Sequence, residues 1–276
     1  MAIVEINGTE IFYTEVGSGL PCLVMHGGLG FDHTGARPWI DPLGDTLRLI
    51  YYDHRGNGRS GRPPLATLTY EQFAADADGL TQRLGIQQTA VMGFSAGGAI
   101  ALHYALTYPE RMSHLILVGA HAAWDYTHEI ESSLARFPTT PEQLAAFTVV
   151  HPKTDDEYQQ MFETIMPLYY HRFDPAMNQR FLERVAWSVS AYHRYNELIV
   201  THDVVARLGE IRAPTLVIVG RDDFVTPIAQ AERIARGITN AELVVFDRSG
   251  HMPYIEEAQR FRKLVREWVK RTTASL

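Results

Sequence analysis

A serine between glycines, Gly93-Phe94-Ser95-Ala96-Gly97, stands where an apolar run, Ala90 to Phe94, gives way to a helical pattern starting at Ala96. The pentapeptide alone is a modest signal. Its position gives it meaning, because a sharp strand-to-helix turn strains the serine backbone and projects its hydroxyl away from the chain. The flanking glycines let two segments approach closely. The helix start behind the serine also offers unpaired amide donors and a positive dipole end, which stabilise negative charge developing on a bound carbonyl. The chemistry this arrangement serves is nucleophilic attack on an acyl group.

A serine hydroxyl needs a base to take its proton and an acid to orient that base. Most of the 12 histidines sit in helical patterns or in a long irregular stretch. His251 differs, since Ser249-Gly250-His251-Met252-Pro253 lies between the last apolar run and the last amphipathic helix. That loop is expected at the same sheet end as Ser95. In Gly220-Arg221-Asp222-Asp223-Phe224-Val225-Thr226-Pro227, which follows the run Thr215 to Val219, two aspartates stand where the acid belongs. Thr226 is expected to cap the next helix and Pro227 to open it. Another glycine-rich loop, His26-Gly27-Gly28-Leu29-Gly30, follows the run Cys22 to Met25 and frees backbone amides to point inward. His26 itself is read as structural.

These loops need a common frame. Val4 to Asn7 and Glu10 to Val16 read as a hairpin joined at Asn7-Gly8, a pair that tolerates positive φ. Cys22 to Met25, Leu47 to Tyr52, Ala90 to Phe94, His114 to Val118, Thr215 to Val219 and Glu242 to Phe246 are mostly continuous apolar runs, as strands buried on both faces require. Helical patterns cover Tyr70 to Leu84, Ala96 to Tyr108, Pro227 to Ile238 and Ile255 to Val269. The alternation predicts an α/β fold, with a mostly parallel central sheet of about eight strands flanked by helices. The rhythm fails from about His121 to Leu208, a helical, aromatic-rich stretch. The expected organisation is a core of residues 1–120 and 209–276 with a helical cap, 121–208, over the carboxyl ends of the strands, where open sheets bind ligands.

On these pieces the chain resembles the α/β-hydrolase superfamily over nearly its whole length outside the insertion. The motifs are His26 to Gly30, Asp53-His54-Arg55-Gly56-Asn57-Gly58-Arg59-Ser60, the serine elbow, the Gly220 to Pro227 loop and Gly250-His251-Met252-Pro253. The resemblance implies the chain order Ser95, Asp223, His251 and a cap after the sixth strand. It puts the aspartate three residues after its loop's glycine, which favours Asp223 over Asp222. It also puts the second wall of the oxyanion hole at His26 to Gly30, so the donors are expected to be the amides of Ala96 and Gly28, with Leu29 as the alternative. The first two motifs are similar to proline iminopeptidases, whose elbow usually reads Gly-Gly-Ser-Trp-Gly; Ala96 departs from that tryptophan. The serine likewise departs from haloalkane dehalogenases and epoxide hydrolases, which use aspartate there. Esterases, enol-lactonases, acyl-homoserine lactonases and carbon–carbon bond hydrolases remain.

The expected activity is ester or lactone cleavage through an acyl-enzyme, with N-acyl homoserine lactones as one substrate class. The rivals are a proline iminopeptidase-like aminopeptidase and a non-catalytic ligand-binding member of the fold. An aminopeptidase needs acidic cap residues to hold a free amino group, and Glu129, Glu131, Asp155, Asp156 and Glu163 are available.

Composition narrows the partners to a small molecule. With 276 residues, 46% of them hydrophobic, the chain can bury a full core, and its net charge of −7 without like-charge blocks argues against nucleic acid and anionic membranes. Met1 to Glu10 carries no basic leader or apolar stretch, so a cytoplasmic protein is expected. The lone cysteine, Cys22, reads as a small buried hydrophobe. Gly56-Asn57-Gly58-Arg59-Ser60-Gly61 fits a dinucleotide fingerprint, but Pro63-Pro64 stops the helix that would receive the phosphate. No phosphate loop or zinc-binding histidine motif occurs, so neither cofactor nor metal is expected. Asn7-Gly8-Thr9 is read as the hairpin turn rather than a glycosylation site.

Overall fold

The computed structural model describes residues 1–274. Ala2–Ile6 (β1) and Thr9–Val16 (β2) pair antiparallel, and the turn between them sets Asn7 and Gly8 at φ 49° and 74°. The chain continues through Leu20–Met25 (β3), Arg37–Ile40 (α1), Leu47–Tyr52 (β4), Tyr70–Arg83 (α2), Thr89–Phe94 (β5), Ala96–Thr107 (α3) and Met112–Val118 (β6). A helical stretch follows: Thr127–Leu134 (α4), Pro141–Thr148 (α5), Asp155–Ile165 (α6), Pro175–Leu182 (α7) and Val189–Ile199 (α8). Among its described residues the only β pairing is an isolated bridge from Ala123 to Asp203. Thr215–Gly220 (β7), Ile228–Gly237 (α9), Ala241–Phe246 (β8), Pro253–Glu256 (α10) and Ala258–Thr273 (α11) complete the chain.

The eight strands lie in the order β1-β2-β4-β3-β5-β6-β7-β8, antiparallel through β1, β2 and β4 and parallel from β4 to β8. The continuous apolar runs split by alternation into two faces. Leu23, Met25, Val91, Leu115 and Leu117 face one layer with Phe73, Ala77 and Leu80 of α2 and Ile100 and Ala101 of α3. Cys22, Val24, Met92, Ile116 and Val118 face the other, with Phe261, Val265 and Trp268 of α11. Burial pushes the Cys22 thiol up to about 12, so it stays protonated and inert.

Two expectations about helix ends need correction. Thr226 is not a cap: Pro227 takes that position and α9 begins at Ile228. The reason lies in Asp223, whose carboxylate takes both the Thr226 amide and its hydroxyl. The final helix is likewise broken at Glu257, with φ −117° and ψ 44°. At this break Glu256 accepts from the amide of Gly250, and Glu257 accepts from the amide of Arg248 and the hydroxyl of Ser249. The loop holding His251 is thus tied to the helix that follows it.

One buried ion pair anchors the loop after β4 to α2. Arg55 and Asp76 are both 2% exposed and joined by two bonds, the Nη2 to Oδ1 contact being 2.6 Å. Asp76 also accepts from Asn7 and Gln72. Removing the cation leaves a buried carboxylate uncompensated. Arg55→Ala is expected to lose about 3–5 kcal/mol of stability, read as a shift in the urea unfolding midpoint; a loss below ~1 kcal/mol would show that the pair does not anchor this loop.

Candidate active site

Ser95 occupies the single residue between β5 and α3, at φ 50° and ψ −118°. Only it and Asn7 among the described non-glycine residues have positive φ. The conformation is held from both sides: its amide donates to Val118 at the end of β6, and its carbonyl accepts from Gly98. Gly97 lets the helix start approach β3, since a Cβ there would lie 2.2 Å from the Met25 carbonyl oxygen. The loop leaving β3 is therefore pressed against the serine, and a Cβ on Gly27 would stand 3.2 Å from that of Ser95.

Gly28 has φ 45°, and a Cβ on it would meet the Phe31 ring at 2.6 Å, so only glycine fits. Its neighbour Gly30 is pinned, donating to Asn57 Oδ1 at 2.6 Å. Asp53 fixes the next residues by accepting from His33 Nδ1 at 2.6 Å and from the amides of His33 and Arg59. Thus the Gly56 to Gly61 segment, with its dinucleotide-like spacing, buttresses the glycine loop. Its partners lie far apart in sequence, and nothing in the residue spacing reveals them. His26 is neutral and structural in its bonding: Nδ1 donates to Gly27 O, Nε2 accepts from the amide of His54, and burial holds its pKa below the usual value.

The two aspartates after β7 part company. Asp223 is buried, and its Oδ2 accepts from His251 Nδ1 at 2.8 Å and from the Thr226 hydroxyl at 2.8 Å. Its Oδ1 accepts from the amide of Thr226. Asp222 turns outward to pair with His171. An Asp–Nδ1 bond leaves Nε2 of His251 as the ring's free lone pair, the tautomer a general base needs. The helical stretch after β6 reaches this histidine too: the Tyr169 carbonyl accepts its amide at 2.7 Å, and the Tyr169 ring stands edge-on to it at 5.4 Å.

Ser95 and His251 both line a cavity of about 410 Å³, together with Gly28 and the elbow strand's Phe94. Phe31, Trp124, Phe147, Phe162 and Tyr192 supply much of its wall. Among the described residues neither arginine nor lysine lines it, and its single carboxylate, Asp32, is already satisfied. Asp32 accepts from Thr34, Arg59 and the amide of Ala186. None of Glu129, Glu131, Asp155, Asp156 and Glu163 lines the cavity; Glu129 accepts from Gln230 and Asp155 from the amide of Val189.

A family model described as alpha/beta hydrolase fold matches residues 21–258, and the chain belongs to that family. It is 31% identical to proline iminopeptidase PfmaB of Pestalotiopsis fici, covering 97% of this chain and 99% of that one. It is 30% identical to 2-hydroxymuconate semialdehyde hydrolase of Pseudomonas putida, covering 94% and 90%. A thermophilic esterase from Thermogutta terrifontis superposes with a TM-score of 0.80 at 26% identity, covering 99% of each chain. Among the described residues no helix is long and apolar enough to cross a membrane.

The strain at Ser95 has a measurable signature. Ser95→Gly and Ser95→Ala both remove the hydroxyl, but only glycine takes positive φ without penalty. Ser95→Gly is expected to be the more stable by about 1 kcal/mol or more in chemical unfolding. Equal stabilities would mean the backbone relaxes when the hydroxyl is lost.

Proposed function

We propose that this chain hydrolyses uncharged carboxylic esters and lactones through an acyl-enzyme. Ser95 is the nucleophile, His251 the base, Asp223 the acid that orients it, and the amides of Ala96 and Gly28 the oxyanion donors. Residues 121–208 act as the cap that closes the acyl chamber. The observation that carries the substrate class is the aromatic lining of the cavity, among the described residues without arginine or lysine and with Asp32 already engaged. A substrate carboxylate would find no arginine or lysine there, and a substrate ammonium no free carboxylate, so either charge would be poorly matched out of water.

In this mechanism His251 Nε2 takes the Ser95 proton as the oxygen attacks the carbonyl carbon. Asp223 stabilises the imidazolium that forms. The tetrahedral oxyanion is held by the two amides, each of which contributes on the order of 10²-fold or more in rate. The imidazolium then protonates the leaving alkoxide. Water activated by His251 attacks the acyl-enzyme and releases the acid. For a lactone the alcohol stays tethered to the acyl group, so water must reach the ester before the ring recloses. N-acyl homoserine lactones are uncharged and carry an acyl chain suited to an aromatic chamber; they are the finest substrate class this reading names.

The esterase likeness at 26% identity supports this reading. The similarity to PfmaB favours an aminopeptidase instead, and the missing free carboxylate weighs against it. The relative named for 2-hydroxymuconate semialdehyde, a carboxylate by its name, meets the opposite objection, the missing cation.

Ser95→Ala is expected to lower turnover by roughly 10⁴-fold or more with the fold intact by circular dichroism. Activity within tenfold of the parent would remove Ser95 from the mechanism. A short-chain aryl ester, an acyl-homoserine lactone and a prolyl anilide, assayed side by side, separate the rivals. Ester and lactone turnover exceeding that of the anilide is expected; the reverse order would transfer the chain to the aminopeptidases. A fluorophosphonate probe is expected to label Ser95, and no labelling would leave a ligand-binding protein. Exhaustive chelation with EDTA is expected to leave the rate unchanged.

A further inference from the structure

The loop leaving β6 carries polar groups that the acyl-transfer mechanism does not use. His121 is 1% exposed, and neither of its ring nitrogens has a hydrogen-bond partner; the Tyr126 hydroxyl is equally buried and equally unpaired. Both side chains line the cavity that contains Ser95 and His251. Gly119, two residues before His121, lies against the base: a Cβ there would stand 3.0 Å from His251 Cε1 and 3.3 Å from Asp223 Oδ2. The corner therefore adjoins the reaction chamber beside the histidine and aspartate, its polar atoms covered by the surrounding rings, which must give way for a ligand group to reach them.

Aromatic rings frame the corner. His202, Trp124 and Tyr126 surround the His121 ring at centroid distances of 5.2, 5.8 and 5.9 Å. The His121 carbonyl faces His202 Nε2 at 3.2 Å, and since a carbonyl only accepts, that nitrogen carries the proton. His202 Nδ1 is then the acceptor for His103 Nε2, 3.2 Å away. Burial lowers the pKa of all three imidazoles, His103 to about 4, so the chain of rings is neutral. A neutral His121 offers one N–H and one lone pair, and Tyr126 adds a hydroxyl. Buried polar groups left unpaired are costly, so the corner is built for a partner that answers both polarities. A methylene chain answers neither. A carboxylate would face the histidine lone pair with no cation to neutralise it.

We infer that His121 and Tyr126 form a substrate subsite for an uncharged group that both donates and accepts hydrogen bonds, a secondary amide or a hydroxyl carried apart from the scissile ester. The inference rests on the ester hydrolase reading above and narrows its substrate class. A site built to hydrogen-bond a substrate group rejects the analogue that lacks it, because the site's own groups are then stranded.

The test compares aryl esters of one acyl length, with a hydroxyl or a secondary amide placed in turn along the chain, against the plain aliphatic ester. The parent protein is expected to favour the best-placed polar ester in kcat/KM by about tenfold or more. The preference is expected to fall to within about threefold of unity in Tyr126→Phe, which removes one oxygen, and in His121→Phe. His121→Gln, which keeps a donor and an acceptor, is expected to retain part of it. A ratio near one at every position in the parent overturns the subsite and leaves a corner that holds only water. A preference unchanged in both phenylalanine variants overturns it as well. If the parent cleaves none of the esters, the hydrolase reading fails separately. Calorimetric binding of the same ester pair to Ser95→Ala then still decides the subsite: tighter binding of the polar ester, abolished by Tyr126→Phe, supports it, and equal binding overturns it.

Discussion

The site is organised around one strained turn. Ser95 keeps positive φ because three pieces of backbone converge on it: the end of β6 takes its amide, the first turn of α3 takes its carbonyl, and β3 crowds the helix start at Gly97. A strained residue persists only where its surroundings over-determine it. The same convergence brings the Gly28 loop beside the serine and starts the β6 loop, with Gly119 and His121, next to His251. The parallel sheet matters here as the device that aims several strand ends at one point.

All eight strands appear within a few residues of the predicted bounds, β3 to β7 because burial on both faces demands unbroken apolar runs. The hairpin at Asn7-Gly8 and the elbow at Ser95 were legible because each needs a particular backbone conformation that few residues adopt. Features set by long-range partners were not. Thr226 has the composition of a helix cap, yet its hydroxyl serves Asp223. Asp222 and Asp223 are adjacent and chemically alike: the family spacing favoured Asp223, and the directions of their side chains separate the partner of His251 from that of His171. The bond from Gly30 to Asn57 crosses two elements, so no local pattern announces it. His121 and Tyr126 sit in an aromatic-rich stretch with no motif to mark them, and their unpaired polar atoms emerge only with the cavity.

Charge is distributed with a consistent logic. The molecule carries a net −7, yet among the described residues the chamber wall has neither arginine nor lysine, and its one carboxylate is held by Arg59 and backbone amides. A low-dielectric chamber strengthens the few dipoles left inside it, the helix start behind Ser95 foremost. That contrast between a charged exterior and a chamber without arginine or lysine is a physical filter on what enters.

The bond between the Tyr169 carbonyl and the amide of His251 divides the covering helices into two classes. Tyr169 and the nearby Arg172, whose amide reaches Glu256, are mechanically coupled to the loop bearing the histidine. Helix α5 is different, since it places Ala146 and Phe147 on the chamber while its own caps close within the helix, through Thr140, Gln143 and Thr148. Change along α5 reaches the histidine loop only through ring packing, Phe147 on Phe224 and Phe224 on Tyr169, whereas change near Tyr169 acts on it through a backbone hydrogen bond. Lineages diverging in ligand choice have a wall held by packing to vary and one held by hydrogen bonds to preserve.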